Sequence, residues 1–233
     1  MTQANHQHHQ RLNKHLAQSL GMSRRQADEL ISSGQVKIND VIVPLGTRFD
    51  ASKDKVTVKG KTVKPCTKLD YILLNKPRNY VCSRKQQGSA PTIYTLLPEQ
   101  LHHLKTVGRL DKDSSGLILL SNDGDFIQQM THPSFYKNKN YLVTLDKPME
   151  PLHQQMINDY GLQLEDGPSK LQLEKLNDNA KTWRVTMHEG RNRQIRRTFQ
   201  ALGYTVTKLH RTNFGKYELS DLARGQYKTV SKL

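Results

Sequence analysis

The chain has 233 residues, with 36 Lys and Arg facing 21 Asp and Glu for a formal net charge of +15, a length that holds one large domain or a small one joined to a larger one. That balance points to a polyanionic partner, nucleic acid first, with plain solubility charge as the alternative. Two cysteines without CxxC spacing exclude a disulfide framework and a zinc site and fit a reducing cytoplasm. No apolar run approaches the ~18 residues of a membrane span, and no hydrophobic segment follows Met1, so neither a span nor a secretion signal is read.

The first ten residues are polar and read as a disordered tail, with the three histidines of "TQANHQHHQ" solvated rather than metal-bound. From Arg11 the pattern changes. Leu12, Leu16 and Leu20 lie at i, i+4 and i+8, one face of a short helix closed by Gly21. Ser23 and Gln26 have capping-box spacing ahead of a second helix with Ala27, Leu30 and Ile31 on its apolar face and Gly34 past its end. "VKINDVIV" alternates, turns at Asn39-Asp40 and resumes, and "KVTVKG" at 55–60 alternates again, giving a small α–α–β unit over 11–60. Arg24 and Arg25 occupy the first turn of the second helix, where the dipole disfavours cations. An anion docking there would account for them, and so would ordinary solvated arginines.

The skeleton "RLNKHLAQSLGMSRRQADELISSGQVKINDVIV" resembles the S4 RNA-binding module. The resemblance implies recognition of structured RNA by shape and phosphate contacts, with Arg11, Lys14, Arg24, Arg25 and Lys37 as the RNA-binding residues. The stretch "GKTVKPCTKLD" has no periodicity and is read as a linker, placed at 61–68.

Over 69–233 strands outnumber helices. "YILLNKP", "GLILLS", "NKNYLVTLDKP" and "KTWRVTMHEG" read as strands, and helices are expected near 124–131, 150–160 and 193–202. No βαβ rhythm or internal repeat shows, so the expected fold class is α+β with a mixed, mostly antiparallel sheet. The apolar positions of "GLILLS" are consecutive, so both faces of that strand should be buried.

Two stretches carry chemistry. In "GRLDKDSSGLILLSNDG" (108–124), Asp111, Asp113, Ser115 and Gly116 match positions 1, 3, 5 and 6 of a calcium loop, but Asn122 stands where a bidentate Glu is needed and Leu119 at position 9. The entering segment "KTVGRL" is not helical in pattern either, so no metal is expected. A carboxylate kept ionised by a neighbouring cation explains more: Arg109 lies two residues from Asp111, on the same side of an extended chain. A structural salt bridge explains the pair equally well. In "HEGRNRQIRRTFQALGY" (188–204), Arg191, Arg193, Arg196 and Arg197 crowd the start of a helix whose apolar face is Ile195, Phe199 and Leu202. Cations at the positive end of a dipole need a partner, either phosphates or a carboxylate such as Asp111.

Taken together, "NKP" (75–77), "GRLDKDSSGLILLSNDGD" (108–125), "KNYLVTLDKP" (139–148) and "EGRNRQIRR" (189–197) resemble a pseudouridine synthase of the RsuA family, in which an S4 module precedes a synthase domain. The resemblance implies an isomerase that needs no cofactor and acts on ribosomal RNA, free or in assembling particles, as a monomer. It implies Asp111 as the catalytic aspartate, Arg109 shaping the site, Tyr141 stacking on the target base and Ile195 packing against it. It also implies Arg196 paired with the aspartate, Lys76 near the site, and Arg191 and Arg193 toward substrate. "DKDSSGLILLSNDGD" and "YLVTLDKP" resemble the large-subunit branch more than the small-subunit one. The competing expectations are a small-subunit or tRNA enzyme, a non-catalytic S4 protein and a DNA-binding protein, the last without a recognisable helix-turn-helix.

Overall fold

A computed structural model describes residues 9–66, 68–86 and 88–233. Its contacts divide the chain into two compact units, one running to Asp70 with Asn122–Gly124 added, the other comprising Tyr71–Ser121 and Asp125–Leu233.

In the first unit, helices Leu12–Ser19 and Arg24–Ser32 pack Leu12, Leu16, Ala27 and Ile31 against Val36, Phe49, Val56 and Val63. The capping box is formed: Gln26 N donates to Ser23 Oγ at 3.1 Å, and Ser23 N donates to Gln26 Oε1 at 2.9 Å. Both satisfy amides that a helix start otherwise leaves open. Gly21 is left-handed at φ 68° just past the first helix, but Leu20 is exposed instead of joining the apolar face.

Four strands follow in the order Val41–Ile42, Val36–Ile38, Val56–Val58, Lys61–Thr62. Asn39 and Asp40 both take positive φ, 49° and 67°, the hairpin geometry whose twist matches that of its strands. Two expectations change here. Lys61 and Thr62 pair with Val58 and Thr57, so the start of the expected linker is sheet. His9–Arg11 pairs with Arg48–Asp50, so the end of the expected tail is a strand, while residues 1–8 lie outside the described residues.

The second unit is built on one long sheet, ordered Gln172–Lys175, Thr182–Met187, Lys139–Leu145, Val206–Phe214, Ser115–Ser121, Tyr71–Lys76, Tyr227–Thr229. Lys105–Val107 and Tyr217–Glu218 attach at its sides. Its one parallel pairing joins Val206–Phe214 to Ser115–Ser121, and the other pairings are antiparallel. The class is α+β with a mixed, mostly antiparallel sheet.

Strands 71–76 and 115–121 alternate between two cores. Ile72, Leu74, Ile118 and Leu120 enter one, and Tyr71, Leu73, Leu117 and Leu119 enter the other. Both faces are covered, as a consecutive apolar run requires. The helices are Gly124–Thr131, Pro151–Gln155 continuing as a π-helical turn over Met156–Tyr160, and Gln194–Gln200. The last is shorter than its expected 193–202, because Arg193 is left-handed at φ 47° and stands before the helix.

Candidate active site

The turn between Lys105–Val107 and Ser115–Ser121 carries Asp111, and three features fix it. Gly116 takes φ 106° where the parallel strands meet, and a Cβ there would lie 2.2 Å from the Arg211 carbonyl oxygen, so the approach admits only glycine. Ser114 N donates to the Asp111 carbonyl at 3.1 Å. Lys76, fully buried, donates from Nζ to the carbonyls of Pro77 at 3.0 Å, Asp111 at 3.0 Å and Ser114 at 2.6 Å. An ammonium has three N–H donors, and each finds one carbonyl. Burial pushes the Lys76 amine down to about 8, and the charges of Cys82, Asp113 and Asp111 offset part of that shift.

The Asp111 side chain is 29% exposed, and its Oδ2 lies 3.7 Å from Arg193 Nη1. Asp113 is more heavily bonded. Arg193 donates to both its oxygens, at 3.1 and 3.2 Å, and Arg196 Nη2 pairs with Oδ2 at 3.2 Å. Burial alone would raise the Asp113 carboxyl, but the Arg193 hydrogen bonds and the charges of Arg196 and Arg193 hold it below its ordinary value. Arg193 is correspondingly raised by its hydrogen bond to Asp113.

Asp111 lies in the wall of a cavity of about 770 Å³. Tyr141, Met187, Ile195, Leu209 and Phe214 make its apolar lining, and Arg109, Lys139, Arg191, Arg193 and Arg211 supply cations. This combination of an apolar concavity with a few convergent charges is what a small planar base needs. Burial, then the charge of Arg211, push the Lys139 amine down to about 8, and Glu189 opposes them.

The expected residues divide into two groups. Asp111, Tyr141, Ile195, Arg109, Arg191 and Arg193 all line this cavity. Arg196 and Lys76 do not, and two expected pairings change. The cation nearest Asp111 is Arg193, not Arg196 or Arg109. Arg196 is turned to Asp113, to the Asp113 carbonyl at 3.2 Å and to the Val206 carbonyl at 2.7 Å. Arg109 is exposed and has no hydrogen-bond or ion-pair partner among the described residues.

Lys76 sits beneath the turn as its anchor and does not line the cavity. Arg191 lines the cavity, but all three nitrogens of its guanidinium already donate within the chain. It bonds Asp166, Glu189 and the carbonyls of Asp166, Gly167 and Pro168, tying the hairpin Leu162–Leu164/Gly167–Ser169 to the loop before the helix. Arg197 binds the same Asp166 at 2.6 Å. The arginine cluster at the helix start is therefore neutralised chiefly by Asp113 and Asp166. The carboxylates of the "DKDSSG" turn face guanidinium groups, which also removes the calcium-loop alternative.

The cavity also holds residues that were not expected, Arg211 first among them. Arg211 is 2% exposed, donates from Nε to the Leu117 carbonyl at 2.8 Å, and has a buried Nη2 with no partner among the described residues. It lies opposite Tyr141 across two strands and borders the cavity. An unmet donor on a buried cation is costly unless a ligand meets it. The signal was in "LHRTNF": an arginine at the inward phase of a strand, two residues after Leu209.

In the first unit Arg11, Arg24, Arg25 and Lys37 are exposed, with side chains that have no hydrogen-bond or ion-pair partner among the described residues; Lys14 is half-buried. Lys37 joins Lys55 and Lys59 around a depression of about 230 Å³ on the solvent face of the small sheet.

Comparison with known proteins agrees with this geometry. A family model described as RNA pseudouridylate synthase matches residues 70–201, and an S4 domain model matches 10–56. A Pasteurella multocida protein named ribosomal small subunit pseudouridine synthase A is 37% identical over 226 residues, covering 95% of this chain and 96% of its own. A Bacillus subtilis protein named ribosomal large subunit pseudouridine synthase B is 34% identical over 228 residues, covering 95% and 92%. A crystal structure of a pseudouridylate synthase superposes with a TM-score of 0.68 at 35% identity, covering 95% of this chain and 96% of that one. With an S4 domain, a synthase domain and full-length relatives of that kind, the chain belongs to the RsuA family of RNA pseudouridine synthases, isomerases that act on RNA.

Proposed function

We propose that this protein converts one uridine of ribosomal RNA to pseudouridine, with Asp111 as the group that acts on the ribose. In that isomerisation the N1–C1′ bond breaks, the uracil turns within its pocket, C5 joins C1′, and the C5 proton is lost as N1 gains one. No atom is added or removed overall. The cavity suits each requirement. It supplies a carboxylate 29% exposed and open to the ribose, with a guanidinium 3.7 Å away. It also supplies an apolar lining in which a flipped base can turn, and Tyr141 as the ring against which the base rests.

Asp111 as an anion serves either of two routes, addition to C1′ or removal of a sugar proton on the way to a glycal. Arg193 faces the carboxylate at 3.7 Å in both. Arg211 offers the unmet Nη2 donor to the bound nucleotide. The observation that carries the reading is the meeting of Asp111, Tyr141, Ile195 and Arg193 on one cavity from three separate stretches of chain.

Asp111→Asn keeps size and shape but removes the charge. Pseudouridine formation on an rRNA transcript should vanish while the Kd for that RNA changes by less than about twofold, since phosphates and not this carboxylate carry affinity. Turnover equal to that of the parent would sink the assignment.

The proposed target lies in the large subunit, on the pattern of 111–125 and 141–148. The small-subunit name of the Pasteurella relative favours a second reading. Mapping pseudouridines in both rRNAs from cells lacking the protein separates them, and using free RNA against assembling particles in vitro identifies the form modified. The protein is proposed to act as a cytoplasmic monomer.

A further inference from the structure

At the mouth of the cavity the chain makes a short 3-10 turn, Pro133–Phe135, ending in Tyr136. Tyr136 is 72% exposed, high for a large aromatic ring, and its backbone is left-handed at φ 45°, ψ 47°. L residues other than Asn and Asp rarely adopt that conformation. It persists because Tyr136 N donates to the Pro133 carbonyl at 3.1 Å and Phe135 N to the His132 carbonyl at 3.1 Å, closing the turn. The ring stands in solvent beside the His188 ring, at 5.8 Å between centroids and 52° between planes. His188, Pro133 and Thr131 all line the cavity that holds Asp111. Lys137 follows directly, and Lys139 is anchored to the His188 carbonyl at 2.8 Å. None of the residues to which the isomerisation was assigned lies in this turn.

We infer that Tyr136, with His188 behind it, is a stacking platform for an unpaired nucleobase next to the target uridine. The inference rests on the proposed action at a flipped uridine. Extruding one base unstacks its neighbour, and an exposed aromatic face beside the cavity restores the lost stacking without reading sequence. A nucleobase is favoured over a purely apolar partner because Lys137 follows the ring directly, so a phosphate beside the stacked base meets a cation, while the exposed Phe135 on the other side adds a second aromatic face. Tyr136 thus serves binding and register, and the chemistry stays with Asp111.

The test compares Tyr136→Ala and Tyr136→Phe in the full chain. Kinetics are measured on an rRNA transcript, and equilibrium binding on a uridine-containing single-stranded oligonucleotide and on an RNA duplex. Stacking predicts that Ala raises KM and the oligonucleotide Kd about tenfold, leaves kcat within about twofold and duplex binding unchanged, and that Phe restores the parent values. Unchanged KM and Kd in the Ala variant, or an equal loss on duplex RNA, overturn the platform. The oligonucleotide measurement needs no turnover, so a parent enzyme silent on rRNA would count against the rRNA proposal while the Ala–Phe comparison still decides this one.

Discussion

Two carboxylates two positions apart, Asp111 and Asp113, divide the arginines of the site unequally. Asp113 takes both oxygens' worth of hydrogen bonds from Arg193 and an ion pair from Arg196, while Asp111 keeps only the 3.7 Å approach of Arg193 and remains open to the cavity. Asp113 therefore acts as a positioning residue that holds Arg193 beside Asp111 without letting it cover the carboxylate. In Asp113→Asn the amide cannot neutralise two guanidinium groups, and Arg193 should close onto Asp111. The expected result is a lowered kcat with KM within about twofold. The carboxyl of Asp113 lies below its ordinary 3.8 when folded. The unfolded chain therefore binds the more protons just below that value, and the stability Asp113 contributes is present above it and lost as pH falls through the folded value. With the side chain 37% exposed, the difference between parent and variant at pH 7 should be only about 0.5–1 kcal/mol in urea unfolding. It should shrink as pH falls below 3.8 and vanish once pH has passed below the lower folded value. A difference that persists in acid would show that Asp113 acts through packing and not through charge.

The pairing was only half legible in the sequence. A dipole argument shows that the arginines of 191–197 need acids, but not which arginine meets which acid. Arg193 reaches the 111–113 turn across 80 positions of chain, and its left-handed backbone follows no propensity. Lys76 misleads for a similar reason. A lysine beside "NKP" reads as a charge for substrate, whereas in the fold every one of its donors is consumed by a carbonyl of the chain.

The strand Ser115–Ser121 is the element on which the site depends, because it pairs on one side in parallel with the strand of Arg211 and on the other with that of Lys76. At Gly116 the parallel partner comes so close that an added Cβ would meet the Arg211 carbonyl oxygen at 2.2 Å and its amide nitrogen at 2.6 Å. Both are backbone atoms, which cannot turn aside as a side chain would. Gly116→Ala should cost about 3 kcal/mol or more, read as a lowered urea midpoint or loss of soluble protein. Gly124→Ala is the comparison: nothing lies within 4 Å of its Cβ, and a change under about 1 kcal/mol is expected. Equal midpoints for the two variants would mean that the strands part easily there.

At this scale the sequence was informative wherever periodicity and turn chemistry agreed. The Ser23–Gln26 capping box, the Asn39-Asp40 turn and the doubly buried "GLILLS" all form. It was silent on the hairpin Leu162–Leu164/Gly167–Ser169, whose "EDG" and Pro168 offer little strand propensity. That hairpin is held from outside, by four hydrogen bonds of Arg191 to the Asp166 carboxylate and the carbonyls of Asp166, Gly167 and Pro168, and by Arg197 on Asp166.

For the whole molecule, the net charge of +15 is spread along the chain, with 12 basic against 5 acidic residues over 11–68 and 24 against 16 over 69–233. Not every cation is available to RNA. Arg191 and Arg197 are committed to Asp166, and Arg193 and Arg196 to Asp113. Arg24 and Arg25 are different: exposed in the first turn of a helix, without a hydrogen-bond or ion-pair partner among the described residues, at the end whose amides attract anions. If both meet phosphates, replacing them with Ala should reduce the slope of log Kd against log salt by about 1.4 for single-stranded and about 1.8 for duplex RNA, at ~0.7 and ~0.9 per contact. Binding should weaken most at low salt, while the urea midpoint stays within about 0.5 kcal/mol, because neither side chain is buried. Arg197→Ala supplies the contrast. Its guanidinium is held by a carboxylate in the folded chain, so the salt slope should stay constant. Slopes that match in the parent and the Arg24→Ala, Arg25→Ala double variant would remove the helix start from the RNA-binding surface and leave the lysines around the small sheet, Lys37, Lys55 and Lys59, as the cations of this unit to test next.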